Sequence, residues 1–325
     1  MNGQAGLPAP GRAAKGDAFM VLSPVLALAP AAASPHGAMH LTLLQAVLLG
    51  LLQGFSELFP VSSLGHIILI KAVAHWHFNS NNKNFLSFVV ALHLATAAAL
   101  LIYFWKDWKK IILAYLGSIS RRKFVYDQTS KFAWLLVAGT VIVGVVGLVF
   151  QKKFRLFFDN PRYLWMVAGF LILNGGVMWL GDILKRRSER RAAAEQQKKA
   201  EDLSFPAATA VGACQTFALF PGISRSGAAI VGGILAGLSY EEACRFAFML
   251  ATPVIAAAGL LKVPALFKPE ARSILNLTIP AALAAGVAAY FSTRFLMKYF
   301  ETKRLLPFAI YCVIAGTVSL VVLYA

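Results

Sequence analysis

The feature that most constrains the fold is a set of long stretches without a charged side chain. Five windows of at least 19 residues contain no Asp, Glu, Lys or Arg: 84–105, 132–151, 163–181, 273–293 and 305–325. A helix of about 20 apolar residues crosses the roughly 30 Å core of a bilayer. A sixth window, 246–261, reaches that length if it extends past Lys262 to Phe267, because a lysine near a helix end can snorkel. The sequence therefore predicts an all-α integral membrane protein with six transmembrane helices.

The basic residues of the chain gather beside these windows. The formal net charge is +17, although only 14% of the residues are charged. Runs of Lys and Arg occupy 106–110, 121–123 and 185–191. Such runs are typical of cytoplasmic loops, and no nucleic-acid-binding module is visible in the sequence. We therefore expect the 106–123 and 185–199 loops to face the cytoplasm, and we expect no nucleic-acid partner.

The chain also contains an internal repeat. QGFSELFPVSS, which begins at Gln53, is echoed by CQTFALFPGIS, which begins at Cys214. FVVALHLATAAALL at 88–101 is echoed by FAFMLATPVIAAAGLL at 246–261, again with an offset of about 160 residues. The alternative is chance similarity between apolar helices, but two echoes in the same order indicate a duplicated unit.

Each half contains two short apolar segments around a Pro-Ser turn, followed by three full spans. The short segments cover 42–58 and 63–74 in the first half, and 205–219 and 225–237 in the second. Segments this short predict two re-entrant helical hairpins. An odd number of spans per half inserts the second half upside down, so we predict an inverted-topology repeat whose Pro-Ser tips meet inside the membrane.

These features predict one membrane domain, 41–325, with a short extension before it. The repeats cover about 41–184 and 203–325, and a basic cytoplasmic loop at 185–202 joins them. Residues 1–40 are rich in Ala, Pro and Gly, so we expect a disordered or targeting-like extension there.

The first tip, QGFSELFPVSSLGH, places reactive groups in apolar surroundings. A carboxylate such as Glu57 is costly to desolvate unless it has a task, and it can hold a divalent metal or act as a base. Ser62 or Ser63 can attack as a nucleophile. His66 lies about one helical turn from Ser63 on the same face, where it could take the serine proton or protonate a leaving group.

The second tip, PGISRSGAA, supplies a cation. Arg225 lies between Ser224 and Ser226, and a guanidinium suits phosphate oxygens. In both tips the serines follow a proline and precede a short helix, whose free N–H groups favour an anion. Together the tips predict a phosphate site with a nucleophile, a base and a cation.

Structural interpretations of the same residues stay open. Ser62 and Ser63 could serve only as helix caps, and His66 could form an interhelical hydrogen bond. Glu57 and Arg225 could form a purely structural ion pair. His93, inside a span, is interpreted as a packing residue or an indirect support of the site.

The two tips resemble the signatures of the bacterial undecaprenyl-diphosphate phosphatase family, also called the bacitracin-resistance proteins. The resembling motifs are Gln53-x-x-x-Glu57, the following PVSS-x-GH run to His66, and PG-x-SRS at 221–226, and the similarity covers about residues 41–325. The resemblance implies hydrolysis of a C55 polyprenyl diphosphate to the monophosphate. It also implies a divalent cation, expected to be Mg²⁺ or Ca²⁺, and a bacterial inner-membrane location with the active site facing the periplasm.

The same resemblance implies roles for individual residues. Glu57 would be the essential carboxylate and the metal ligand, Ser63 or His66 the nucleophile, and Arg225 the residue that holds the diphosphate. The residues expected at the substrate are Gln53, Ser62, Gly222, Ser224 and Ser226.

The sequence departs from the family pattern twice. Gln53 stands where many members have glutamate, which puts a second metal-binding carboxylate in doubt, and Ala229 replaces the usual threonine.

A histidine six residues after Arg225 would mark acid-phosphatase-like lipid phosphatases, but that position is Val231. A polyprenyl-phosphate flippase remains the alternative function, since inverted repeats are typical of transporters. The oligomeric state is open, with a homodimer as one alternative.

Overall fold

Helices form where the sequence carries its apolar runs, and a proline-serine turn separates the two short helical segments of each half. The structure, a computed structural model, describes residues 41–74, 76, 83–158, 161–191, 198–260 and 274–324. The α-helices of these residues are α1 (Leu43–Leu58), α2 (Ser63–Val73), α3 (Lys83–Tyr103), α4 (Trp105–Ser120), α5 (Gln128–Phe158), α6 (Leu164–Arg191), α7 (Phe205–Cys214), α8 (Arg225–Leu235), α9 (Tyr240–Leu260), α10 (Leu275–Phe300) and α11 (Leu306–Tyr324). Short 3-10 helices cover Pro161–Tyr163, Ala200–Asp202 and Gln215–Leu219. The predicted all-α class is confirmed for the described residues, which contain no strand.

Six of these helices are long and apolar enough to cross a membrane, which confirms the predicted number. They are α3, α5, α6, α9, α10 and α11. The four shorter apolar helical segments, Leu43–Leu58, Ser63–Val73, Phe205–Leu219 and Arg225–Leu235, coincide with the predicted short segments to within about two residues. Their re-entrant path and the inversion of the second half stay predictions.

Helix α9 reaches its length in a different direction from the one predicted. It begins at Tyr240, whereas residues 261–267, which the extension past Lys262 required, lie outside the described residues. Glu241 and Glu242 in its first turn suit the positive end of the helix dipole. Arg245 follows one turn later and pairs with Glu201 at 2.9 Å, so charge at this end is compensated within the protein.

The prediction of a loop over 106–123 is wrong for most of that segment, because 105–120 is helix α4. Helix α4 is amphipathic despite its Lys-rich start. Trp108, Ile111 and Ala114 are buried on one face, while the basic residues lie on the other. Asp107 in the first turn favours the helix start. A basic run beside a span therefore does not by itself indicate a loop.

The connection between the halves also differs from the predicted loop at 185–202. Helix α6 continues through the basic run to Arg191, and a 3-10 helix covers Ala200–Asp202. Residues 192–197 lie outside the described part of the chain.

The two halves share one order of elements, and each short first helix packs on a long helix of the other half. In both halves two short helices precede three long ones, with α4 as an addition in the first half. Gly50 and Gly54 of α1 lie directly against the backbone of Ala281 and Ala285 in α10. In the second half, Gly212 of α7 lies against the backbone of α5 in the same way. Small residues allow this close approach of membrane helices.

The close approach at Gly212 gives a stability prediction. A Cβ at this position would meet the backbone of Gly139, which cannot move aside as a flexible side chain can. We expect Gly212→Ala to lower the free energy of unfolding by about 1–3 kcal/mol, measured as thermal unfolding of the purified protein in detergent. The matched control is Gly144→Ala in α5, where a Cβ meets nothing within 4 Å. That variant should be neutral or slightly stabilising, and equal destabilisation by both would contradict the packing argument.

Candidate active site

The site forms where the first tip, which follows α1, touches the second tip, which follows the 3-10 helix Gln215–Leu219. Ser62 caps α2, and its Oγ accepts hydrogen bonds from Gly65 N at 3.3 Å and from Gly222 N at 3.1 Å. A Cβ at Gly65 would lie 2.9 Å from Gly222 N, so the two backbones are in direct contact. Ser62 adopts φ +70°, a conformation that non-glycine residues rarely adopt and that concentrates at functional sites. The predicted meeting of the tips is therefore present in the structure.

Asn174, in the middle of α6, holds the two tips together. Its Nδ2 donates to Pro60 O of the first tip at 2.9 Å, and its Oδ1 accepts from Ser224 N of the second tip at 3.0 Å. The side chain is 2% exposed, so one buried amide satisfies a backbone group in each tip. Asn174 was not among the predicted site residues, although a lone Asn in an uncharged span is the kind of signal that identifies an interior polar contact.

Ser224 and Ser226 also link the tips. Ser226 Oγ donates to Phe59 O at 3.2 Å, and Ser224 Oγ lies 3.0 Å from Ser226 Oγ. Because the Ser226 hydroxyl already donates its hydrogen bond to Phe59 O, Ser224 is the donor between the two serines. The Ser224 oxygen in turn accepts a hydrogen bond from Gly227 N at 3.1 Å. Both hydroxyl protons are thus engaged within the protein, and their predicted contact with substrate stays a prediction.

Gly222 has a backbone role in the structure. Its φ is +110°, and a Cβ there would run into the carbonyl oxygen of Val167 in α6. Only glycine permits both this conformation and this approach. Since its N–H already donates to Ser62, Gly222 shapes the tip, and its predicted contact with substrate stays a prediction.

Glu57 lies at the centre of the charged contacts between the tips. The carboxylate is 7% exposed, and Oε1 pairs with Arg225 Nη2 at 3.0 Å. Oε2 accepts from Ser63 Oγ at 2.6 Å and from Gln53 Nε2 at 3.1 Å. His93 Nε2 lies 3.5 Å from the same oxygen. The predicted residues Gln53, Glu57, Ser63 and Arg225 therefore meet directly.

The Ser63 hydroxyl contacts a different base from the one proposed on helical spacing. Its proton is directed to Glu57 in a short, charge-assisted hydrogen bond, and Ser63 is the first residue of α2. Spacing places Ser63 and His66 on one face, but the first residue of α2 reaches back across the turn to the end of α1. Glu57, rather than His66, is the group positioned to take the serine proton.

His66 is held by two other contacts. Its Nδ1 lies 2.7 Å from Ser62 O, and because a carbonyl only accepts, Nδ1 carries a proton. Nε2 lies 2.8 Å from the Tyr311 hydroxyl, and the two rings stack with centroids 5.6 Å apart. In the neutral ring Nε2 accepts this bond, so the nitrogen that could attack a substrate faces Tyr311. Tyr311 lies in α11, and its contact with His66 was not predicted.

His93 lies beside Glu57, which favours the second interpretation considered from sequence, an indirect support of the site, over packing alone. Its Nδ1 donates to Val89 O at 2.9 Å, which leaves Nε2 directed at Glu57. A lone pair on Nε2 would oppose the carboxylate. The contact is therefore favourable with a proton on Nε2 or with a cation between the two groups.

The donor set beside Glu57 fits a hard divalent cation. Gln53 is fully buried, its Nε2 donates to Glu57, and its Oε1 has no hydrogen-bond partner among the described residues. An amide oxygen beside a carboxylate is the kind of ligand pair that Mg²⁺ and Ca²⁺ prefer. The described part of the chain contains no cluster of three His, Cys, Asp or Glu that could hold a metal.

Gln215 occupies the corresponding place in the second tip. It is 1% exposed, and its Oε1 accepts from Arg225 Nη1 at 3.4 Å. Its Nε2 is buried without a hydrogen-bond partner in the described part of the chain. The echo of Gln53 by Gln215 in the repeat was the signal that could have identified it.

Known proteins are similar to this chain along most of its length. The family model described as Bacitracin resistance protein BacA matches residues 46–318. An undecaprenyl-diphosphatase of Mycolicibacterium paratuberculosis is 42% identical over 301 residues, which cover 87% of this chain and 97% of that protein. Undecaprenyl-diphosphatase 2 of Frankia alni is 41% identical, with 87% and 98% covered, and undecaprenyl-diphosphatase 2 of Chromobacterium violaceum is 42% identical, with 85% and 97% covered. On this evidence, and as the motifs of the two tips predicted, the chain belongs to the bacitracin resistance protein BacA family.

Proposed function

We propose that this membrane protein is a phosphatase that converts undecaprenyl diphosphate into undecaprenyl phosphate and inorganic phosphate. The names of its relatives support this substrate and reaction. One observation carries the proposal. The buried carboxylate of Glu57 accepts a hydrogen bond from the Ser63 hydroxyl at 2.6 Å and pairs with the Arg225 guanidinium at 3.0 Å. These are the groups that a phosphoryl transfer through a covalent intermediate requires.

In the proposed first step, Ser63 Oγ attacks the terminal phosphorus of the diphosphate. The Oγ–P bond forms, the bond from phosphorus to the bridging oxygen breaks, and undecaprenyl phosphate leaves with the electron pair. Glu57 Oε2, already hydrogen-bonded to Ser63, takes the hydroxyl proton.

The second step releases phosphate. A water molecule attacks the phosphorus of the phosphoserine, and Glu57 assists by passing the proton it holds to Ser63 Oγ as the O–P bond breaks. The proton of the attacking water goes to the carboxylate or to the departing phosphate. The cycle returns Ser63 to its hydroxyl form and yields one inorganic phosphate per diphosphate.

Arg225 and two helix starts would balance the negative charge of the reacting phosphate. Arg225 is the first residue of α8, just as Ser63 is of α2. Free N–H groups and the helix dipole favour an anion at such positions. A planar guanidinium can bind two phosphate oxygens at once.

We further propose a divalent cation, Mg²⁺ or Ca²⁺, as the cofactor. Gln53 Oε1 and Glu57 would hold it, and His93 lies close enough to Glu57 to contribute. Such an ion, when bound, polarises a phosphoryl oxygen and neutralises charge that develops on it. Gln53 would thus offer an amide oxygen where many family members have a second carboxylate.

The proposed location is the bacterial inner membrane, with the site open to the periplasm. The basic segments support this orientation under the positive-inside rule. Arg245 of α9 pairs with Asp107 of α4 at 3.6 Å and with Glu201 at 2.9 Å. Asp107 lies within the basic run 106–110, and Glu201 follows the basic run 185–191, so these parts of the chain lie at one end of the molecule. This end of the molecule would face the cytoplasm.

The test of the proposed function is phosphate release by the purified protein in detergent. With undecaprenyl diphosphate and Mg²⁺ or Ca²⁺ we expect steady release, and we expect EDTA to lower the rate at least about tenfold. Restoration by either cation would support a cofactor role. A folded protein that binds the lipid but releases no phosphate would move the assignment to a lipid carrier. The names of the relatives and the Ser63–Glu57 contact do not favour that alternative.

The orientation can be tested with the same reaction. Sealed right-side-out membrane vesicles should hydrolyse an externally added, water-soluble short-chain prenyl diphosphate without permeabilisation. Hydrolysis that appears only after permeabilisation would place the site on the cytoplasmic side.

A further inference from the structure

Gln215 carries an unused hydrogen-bond donor at the charged centre of the molecule. It begins the 3-10 helix Gln215–Leu219 and is 1% exposed. Its Nε2 has no hydrogen-bond partner among the described residues, whereas buried polar groups are nearly always paired. An unpaired buried donor beside a candidate anion site indicates a partner that binds there.

The orientation of the Gln215 amide follows from its neighbour. A guanidinium offers only donors, so the amide oxygen must face Arg225, as the 3.4 Å contact from Nη1 to Oε1 has it. The reverse orientation would place N–H groups against N–H groups. The amide nitrogen, bonded to the same carbon as Oε1, therefore lies beside the guanidinium with its protons free.

The two glutamines of the repeat differ in the group that each leaves free. Gln53 donates to Glu57 and leaves an acceptor unpaired on the side of the carboxylate. Gln215 accepts from Arg225 and leaves a donor unpaired on the side of the guanidinium. A free acceptor suits a cation, and a free donor suits an anion. Each glutamine thus extends the binding preference of its charged neighbour.

We propose that Gln215 binds the substrate phosphate, with Nε2 donating to an oxygen of the phosphate that Arg225 holds and Oε1 positioning Arg225. This inference rests on the proposed phosphatase function and adds a residue to its anion site. It also explains why an amide, which has both an acceptor and a donor, occupies this position. A side chain with an acceptor alone would position Arg225 and repel the phosphate.

The experiment compares Gln215→Met, which keeps the size of the side chain but removes the donor, with Gln53→Met. Methylenediphosphonate, which resists hydrolysis, is the probe, and two constants are measured on the purified protein. These are the inhibition constant of methylenediphosphonate and the Mg²⁺ concentration that gives half-maximal activity. Direct titration calorimetry with methylenediphosphonate gives a third reading that does not require turnover.

We expect Gln215→Met to weaken methylenediphosphonate binding about tenfold to hundredfold, the loss of one hydrogen bond to a charged group, with the Mg²⁺ constant unchanged. Gln53→Met should mainly raise the Mg²⁺ constant. A merely structural role would move both constants or neither. Thr216→Val is the matched control, since its hydroxyl bonds to Ala213 O within its own turn at 2.7 Å. It should change neither constant.

Two outcomes would overturn the inference. One is a Gln215→Met variant that binds methylenediphosphonate within about twofold of wild type. The other is measured on Gln215→Glu, the variant to be used if Gln215→Met does not fold. This substitution keeps an acceptor for Arg225, and undiminished binding by it would exclude a donor role. If wild type binds methylenediphosphonate but releases no phosphate from undecaprenyl diphosphate, the proposed function fails, and the binding comparison still decides the role of Gln215.

Discussion

Ser63→Ala is expected to lower kcat by at least about 10⁴-fold, because it removes the oxygen that would form the bond to phosphorus. The side chain is 8% exposed, and among the described residues its hydroxyl bonds to Glu57 alone, at 2.6 Å. Its loss should therefore leave the fold intact while phosphate release ceases. Rapid acid quench with a ³²P-labelled diphosphate should trap phosphoserine in wild type and no acid-stable phosphoprotein in the variant.

The control for this variant is Ser56→Ala on the preceding helix. Ser56 is also buried, but its hydroxyl bonds back to Leu52 O within α1, so its removal should leave turnover near that of wild type. His66→Ala supplies the contrasting result. If Ser63→Ala still turns over and an acid-labile phosphoprotein disappears in His66→Ala, the nucleophile is the imidazole and the Ser63 mechanism is wrong.

Glu57→Gln is expected to lower kcat about 10²–10⁴-fold, the range for loss of a general base, and also to destabilise the protein. The substitution leaves Arg225, which is 12% exposed, without its carboxylate. Breaking one side of a buried ion pair costs about 3–5 kcal/mol. Thermal unfolding and phosphate release should therefore fall together in Glu57→Gln, and also in Arg225→Met.

The double variant Glu57→Gln/Arg225→Met separates a structural role from a functional one. Removing both charges should recover much of the stability, since buried ion pairs can be replaced by neutral groups at little cost. Activity should stay lost, because both groups act on the phosphate. Recovery of activity together with stability would show that the pair is only structural. Asp182→Asn is the control, because Asp182 is a fully buried acid that pairs with Arg186 away from the site. It should change stability with little effect on turnover per folded molecule.

The arrangement of the two tips could be predicted from sequence because the repeat contained the necessary information. An odd number of spans between two similar proline-serine motifs predicted that Glu57 and Arg225 would meet, and the structure places them 3.0 Å apart. The short helices were also predictable, since short apolar runs flank a proline-serine turn in each half.

The contacts within the tips were less predictable, because spacing along one helix does not show what lies across a turn. Ser63 and His66 are separated by one helical turn, yet each bonds elsewhere: Ser63 to α1 and His66 to Tyr311. The unusual φ of Ser62 sets that geometry and leaves no signature in residue type. His93 and Asn174 were visible as polar residues in apolar spans, but helical periodicity cannot show which neighbour such a side chain meets.

The division of the charged centre between the halves has a consequence for biogenesis. The carboxylate comes from the first half and the guanidinium from the second, and Asn174 and the tip serines fix one half against the other. A chain with one half inserted in the wrong orientation would keep every residue of the site but would have no paired charges. Turnover by this protein therefore requires that both halves insert in their correct orientations. Fragments that each carry one half should recover turnover only when they assemble together.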